Sequence, residues 1–183
     1  KMGFALAQVA AERGAVVHLI AGPVVLDSPI GVKREDVTSA NEMFEAVKDA
    51  FNDADVVIMA AAVADYRVQS PSKEKIKKKA TTMDLQLEKN EDILFYLGNN
   101  KKNQLLVGFA LETENEIANA EKKLISKKLD AIVLNSLKNK GAGFATDTNQ
   151  ITILQKDNKL ISFELKHKND VAADILDVIE NLL

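Results

Sequence analysis

The chain contains no cysteine and no tryptophan, and only 5% of its residues are aromatic. Without cysteine there is no disulfide, no thiolate metal site and no cysteine nucleophile, and a reducing, cytoplasmic setting is expected. The scarcity of aromatics argues against a surface that stacks sugars or single-stranded bases. Neither sign of charge dominates. Lys and Arg number 24 against 27 Asp and Glu, a net charge of −3, so no bulk positive field marks a nucleic-acid partner. No apolar run approaches the roughly 18 residues of a membrane helix, and neither a membrane partner nor a secretory leader is expected. His18 and His167 are isolated from each other, which leaves no histidine pair for a metal and no triad. A GxxxxGK[ST] cradle is also missing.

What is present is an alternation of helix and strand over 183 residues that are 46% hydrophobic. That length and composition suit one domain with its own core. Gly3 to Arg13 reads as a very apolar helix stopped by Gly14, and Val16 to Ala21 as a buried strand directly after it. A strand normally precedes such a pair, so the chain is expected to begin inside a βαβ unit, N-terminally incomplete. Val32 to Val37 reads as a short exposed strand. Ser39 and Glu42 form a capping box for a helix reaching about Asn52. Asp55 to Val63 is the most apolar strand, expected at the sheet centre. Asp65 to Thr82 reads as a long polar loop and Met83 to Glu88 as a strand.

Asn90 is expected to cap a short helix, Leu105 to Ala110 to form a buried strand, and Thr113 with Glu116 to cap a helix reaching about Lys128. Asp130 to Leu134 is the next strand, and Ser136 to Thr148 a loop. Ile151 to Leu154 and Leu160 to Leu165 pair across Asp157-Asn158 as a hairpin. Its apolar side (Ile151, Ile153, Ile161, Phe163) suits burial against a helix or a second subunit. Asn169 is expected to cap the last helix. The fold class is α/β: three-layer, Rossmann-like, with a mostly parallel sheet and a late antiparallel hairpin.

Ligands of such sheets sit beyond the carboxyl ends of the strands. Ala60-Ala61-Ala62-Val63-Ala64-Asp65-Tyr66 lies at one such end. Its small side chains would let a ligand approach the backbone, and Asp65 would accept from hydroxyls or an amine; alternatively the alanines fit under a helix and Asp65 caps a turn. Lys73, Lys75, Lys77, Lys78 and Lys79 leave the same end, as a clamp for a polyanion or as a solvated charge run. Lys122, Lys123, Lys127 and Lys128 close a helix, with Lys123 and Lys127 on one face, and would also complement its dipole. Phe109 would stack on a base or belong to the core. Gly22-Pro23 stands where an NAD-binding fold places its ribose-holding acid, and Tyr66 is not followed by the lysine of a YxxxK pair.

Together with Lys1-Met2-Gly3, read as the tail of an SSGKMG turn, several blocks resemble the phosphopantothenoylcysteine synthetase (phosphopantothenate–cysteine ligase) family. They are AAVADYR (61–67), EKIKK (74–78), LEKNEDIL (87–94), GFALET (108–113), KKLISKKLDAIVLN (122–135) and GFATDTN (143–149), in family order along nearly the whole chain. The resemblance implies a nucleotide-binding ligase domain over residues 1–183 that joins 4′-phosphopantothenate to L-cysteine through an acyl-cytidylate made from CTP with Mg²⁺. It implies that Met59, Ala60, Ala61, Asp65, Glu91, Asp92, Ile93, Leu94, Phe109, Lys123 and Lys127 bind the nucleotide. It ties Lys75 to turnover of the acyl-nucleotide, and Gly3 to the N-terminal phosphate turn. Position 91 is Glu where the family usually has Pro. A homodimer is expected, and a phosphopantothenoylcysteine decarboxylase as a separate functional partner. No flavin is expected in this chain. The alternatives are an NAD(P)-dependent Rossmann-type reductase and a non-catalytic nucleotide-binding module.

Overall fold

In a computed structural model of the chain, residues 1–72, 74–77, 81–112, 114–136 and 146–183 are described. Period-two alternation along the strands sorts the core onto two faces of a sheet. In β6 (Leu105–Glu112; the numbering of elements here follows the chain), Leu105 and Val107 join one apolar cluster, while Leu106 and Ala110 join the other. In β7 (Ala131–Ser136), Ala131 and Val133 oppose Ile132 and Leu134 in the same way. The first face is covered by α1 (Met2–Glu12), through Ala5 and Leu6, and by α5 (Lys168–Glu180), through Val171 and Ile175. The second is covered by α2 (Ala40–Phe51), α3 (Ile93–Asn100) and α4 (Glu116–Ser126), through Val47, Leu97 and Leu124. The result is a three-layer, Rossmann-like α/β fold.

Among the described residues the main sheet runs β10 (Leu160–Ser162), β9 (Ile151–Gln155), β7, β6, β3 (Val56–Met59). The β3, β6 and β7 strands are parallel, and β7–β9–β10 antiparallel. Asn158, with a left-handed φ of +64°, makes the hairpin turn. A parallel pair, β1 (His18–Ala21) with β2 (Lys33–Asp36), forms its own small sheet. Gly14 ends the first helical segment at φ +90°, as expected.

Several expectations are corrected. The apolar strand after Asp55 is an edge of the main sheet, not its centre: β3 pairs with β6 on one side and, among the described residues, with no strand on the other, which leaves it half-buried. Part of the long polar loop is ordered as β4 (Tyr66–Val68), antiparallel to β5 (Leu87–Lys89), so the strand foreseen at Met83 to Glu88 is shorter and shifted. Asn90 does not cap α3; Asp92 does, its carboxylate accepting the Phe95 N–H at 3.1 Å. The fourth helix begins after Asn115, which sits at φ +47° without a side-chain cap bond, and Thr113 lies outside the described residues. His167, not Asn169, precedes α5. Ser39 does cap α2, but the Glu42 carboxylate accepts from the N–H and hydroxyl of Thr38. The hairpin's apolar side is buried against α5 of the same chain. Most of the loop foreseen at Ser136 to Thr148 (residues 137–145), and with it much of the 143–149 block, lies outside the described residues; β8 (Thr148–Asn149) and β11 (Lys166–His167) pair just beyond it. Lys1 and Asp147, from the first and last family-like blocks, meet in an ion pair at 2.8 Å.

Candidate nucleotide site

Beyond Met59 the chain leaves the sheet through small residues, and a cleft of about 430 Å³ opens there. Four segments bound it. Met59, Ala61 and Asp65 come from the end of β3, Glu91 to Leu94 from the start of α3, Phe109 from β6, and Lys127 from the turn after α4. All are residues singled out from the sequence. The cleft also takes in Lys89 and Asn90, which sequence reasoning had not placed there.

The start of α3 is the electropositive part of the backbone. A helix leaves its first N–H groups without partners inside the helix. Asp92 satisfies Phe95 through its side chain and Tyr96 through its carbonyl. The amides of Ile93 and Leu94 have no hydrogen-bond partner among the described residues. Two unpaired N–H groups at a cleft wall are suited to an anion.

Lys127 reaches the cleft because of a glycine. Its backbone lies so close to α3 that a Cβ on Gly98 would come within 2.0 Å of the Lys127 carbonyl oxygen. From there the side chain carries its ammonium to the opposite end of α3, 2.9 Å from the Asp92 carboxylate. Lys127 caps the end of α4, its N–H donating to the Lys123 carbonyl one turn back at 3.0 Å, yet the two side chains take different partners. Lys123 instead pairs with Glu112 at 2.6 Å and stays outside the cleft lining. Lys75 is exposed and also outside it, while Lys73, Lys78 and Lys79 lie outside the described residues. Ala60 packs toward the α1/α5 face, next to Gly3, where an added Cβ would stand 3.7 Å from the alanine methyl.

Asp65 differs from Asp92. It is exposed to the cleft, and its carboxylate has no hydrogen-bond or ion-pair partner among the described residues. An uncommitted carboxylate, two free amides, the lysines Lys89 and Lys127 and the ring of Phe109 suit a ligand with hydroxyl or amino donors at one end and anionic oxygens at the other. Among the described residues no three His, Asp or Glu side chains gather to hold a metal ion, and no helix is long and apolar enough to cross a membrane.

The profile of the DNA/pantothenate metabolism flavoprotein C-terminal domain matches residues 1–183. The chain belongs to this family. The coenzyme A biosynthesis bifunctional protein CoaBC of Bacillus subtilis is 46% identical over 183 residues, covering 100% of this chain and 45% of that protein. A cysteine/cysteine sulfinic acid decarboxylase from an unknown prokaryotic organism is 52% identical over 185 residues, 100% of this chain and 52% of the relative. The chain therefore spans about half the length of these relatives. The crystal structure of the C-terminal domain of CoaBC superposes with a TM-score of 0.84 at 40% identity, over 99% of this chain and 81% of that one. A Cab2 mutant in complex with phosphopantothenate-cysteine has a TM-score of 0.61 at 16% identity, over 82% of this chain and 54% of that one, a likeness of fold alone. Such a flavoprotein C-terminal domain thus has, here, a Rossmann-like sheet with its cleft at the carboxyl ends.

Proposed function

We propose that residues 1–183 form a nucleotide-binding ligase domain that joins 4′-phosphopantothenate to L-cysteine in coenzyme A biosynthesis, with CTP as co-substrate. A carboxylate oxygen of phosphopantothenate attacks the α-phosphorus of CTP and pyrophosphate leaves, giving an acyl-cytidylate. The cysteine amine then attacks the acyl carbon, and CMP departs as the amine loses its proton. No protein nucleophile is needed, only orientation and charge stabilisation.

The observation that carries this reading is the meeting of Asp65, the free amides of α3 and Lys127 in one cleft, in a chain with CoaBC relatives. In this reading Asp65 accepts from the ribose or base, Phe109 stacks beside it, and Ala60 and Ala61 leave room for backbone approach. Glu91 to Leu94 and Lys127 meet the phosphates. The cleft itself carries Asp65, Glu91 and Asp92 against Lys89 and Lys127. A polyphosphate therefore needs further positive charge, and Lys75 from the loop beyond β4 supplies it during turnover, with Lys123 at the rim and Gly3 at the phosphate turn. Mg²⁺, when bound, would neutralise phosphate charge, with phosphate and water oxygens as most of its ligands; the carboxylates lining the cleft are Asp65, Glu91 and Asp92.

The reaction oxidises and reduces nothing, so this domain needs no flavin for it despite the family's name. The product keeps the cysteine carboxylate, the group a phosphopantothenoylcysteine decarboxylase would remove, which makes such an enzyme the functional partner. Cytoplasmic location and a homodimer belong to the same reading. The exposed side chains of Tyr66 and Leu87 on the β4/β5 ribbon, with Leu85 just before it, are an apolar surface for the second copy.

The test is pyrophosphate and CMP release by the protein carrying this domain, given CTP, phosphopantothenate and cysteine. No release sinks the ligase reading, and release with ATP alone corrects the nucleotide. Lys75→Ala should lower turnover far more than it lowers Tm; a fully active variant removes Lys75 from the reaction.

A further inference from the structure

Asn90 is spare as a helix cap, since Asp92 does that work, yet it is buried to 8% exposure at the wall of the cleft. A side-chain amide is kept in such a place by hydrogen bonds at both its ends. Its Nδ2 donates to the Ala64 carbonyl at 2.7 Å, and its Oδ1 accepts from Arg67 Nη1 at 2.9 Å. Its backbone N–H donates to the Asp65 carbonyl at 2.8 Å. Arg67 is held in turn by Glu88, Nε to Oε1, at 2.7 Å. The residues before, at and two after Asp65 are therefore all tied to Asn90, while the Asp65 carboxylate is left free.

We propose that Asn90, braced by Arg67, is a positioning residue that presents Asp65 to the nucleotide. The inference rests on the nucleotide reading given above and adds a residue to it. A carboxylate whose backbone is clamped loses little freedom when it accepts a ligand donor, so the clamp is worth affinity without touching the ligand. No other side chain of this length serves. Aspartate has no donor for the Ala64 carbonyl, and leucine would take their partner from both that carbonyl and Arg67 Nη1.

The test is nucleotide affinity of the protein carrying this domain, measured with CTP and with ATP, for Asp65→Asn, Asn90→Asp and the double variant. Tm is recorded for each. Asn90→Asp should weaken CTP binding about tenfold, raising KM for CTP with kcat at saturation nearly unchanged. Added to Asp65→Asn, it should weaken binding by no more than about twofold, because the residue acts through Asp65. Wild-type affinity in Asn90→Asp overturns the inference, and so do losses that simply multiply. Should Asn90→Asp not fold, Arg67→Lys replaces it in the same cycle, since Arg67 is exposed. If the unmodified protein binds neither nucleotide, the nucleotide reading itself fails, a result distinct from equal binding by wild type and variant.

Discussion

The molecule holds two carboxylate–lysine clusters, one at each end of its parallel strands, and they do opposite jobs. Where β6 and β7 begin, the Asp130 side chain is only 9% exposed and is fully engaged. It accepts from Lys101 at 2.7 Å, from Lys156 at 3.0 Å and from the Leu106 N–H at 2.9 Å. Burial pushes the Asp130 carboxyl up, but Lys101, the Leu106 amide and Lys156 more than reverse it and hold it below the usual carboxylate range. At the cleft, Asp92 is 39% exposed and holds one lysine and one helix amide. The same pair of residue types is structural where water is excluded and available to a ligand where water enters. Desolvation sets the difference, because an exposed pair is worth little and a buried carboxylate cannot be left without partners.

The sharpest way to break this comparison is Asp130→Ala, which strands Lys101 and the Leu106 amide. It should cost about 3–5 kcal/mol in denaturant unfolding, with nucleotide affinity of the folded fraction unchanged. A loss below about 1 kcal/mol would make the two clusters alike. Gly98→Ala should cost about 3 kcal/mol, since α3 and the Lys127 turn must part, and here affinity should fall with stability. If affinity held, the approach of α3 would have nothing to do with how Lys127 reaches the cleft.

Lys127→Ala reverses the pattern. Nucleotide affinity should drop by roughly tenfold or more, while stability moves by less than about 1 kcal/mol. Equal affinity in calorimetric titration would take Lys127 out of the site.

The pH dependence separates the clusters again. A carboxyl depressed in the folded state contributes stability that is present above its unfolded pKa of about 3.9 and is lost as pH falls through the lower folded value. The stability gap between wild type and Asp130→Asn should therefore be widest near neutrality and narrow below about pH 4; a gap independent of pH would contradict the Asp130 account. The smallest effect belongs to Asp92→Ala, about 1 kcal/mol for a lost cap, with Asp92→Asn costing less because asparagine also caps. Equal losses in the two variants would mean that the ion pair, not the cap, carries the cost.

Much of the fold was legible because it is local. The 3.6-residue period of α2, the alternation of β6 and the turn at Asp157-Asn158 each show within a dozen residues. Errors came where a local signal has a distant competitor. Asn90 looks like a cap until the chain folds and the Ala64 carbonyl and Arg67 claim its amide. Tyr66–Val68 looks like loop because its partner strand lies some twenty residues on. The apolarity of β3 suggests a central strand, but apolar content does not say how many neighbours a strand finds. At the site, Asp65 and Phe109 were visible as residue types at strand ends, while Asp92 came only with the family resemblance. The division of labour between Lys123 and Lys127 was not, since it depends on where α4 stops and on the space beside Gly98.

By itself, then, the amino-acid sequence determined the order of helices and strands, which side of each is apolar, and the set of residue types brought to the carboxyl edge. Only the tertiary structure decided which of those residues meet: Lys127 rather than Lys123 in the cleft, Asp92 rather than Asn90 as the cap, and a free carboxylate at Asp65. The reason is that propensity and periodicity act over a few residues, whereas hydrogen bonds and ion pairs are shared among groups far apart in sequence. Burial sets what each of those pairings is worth.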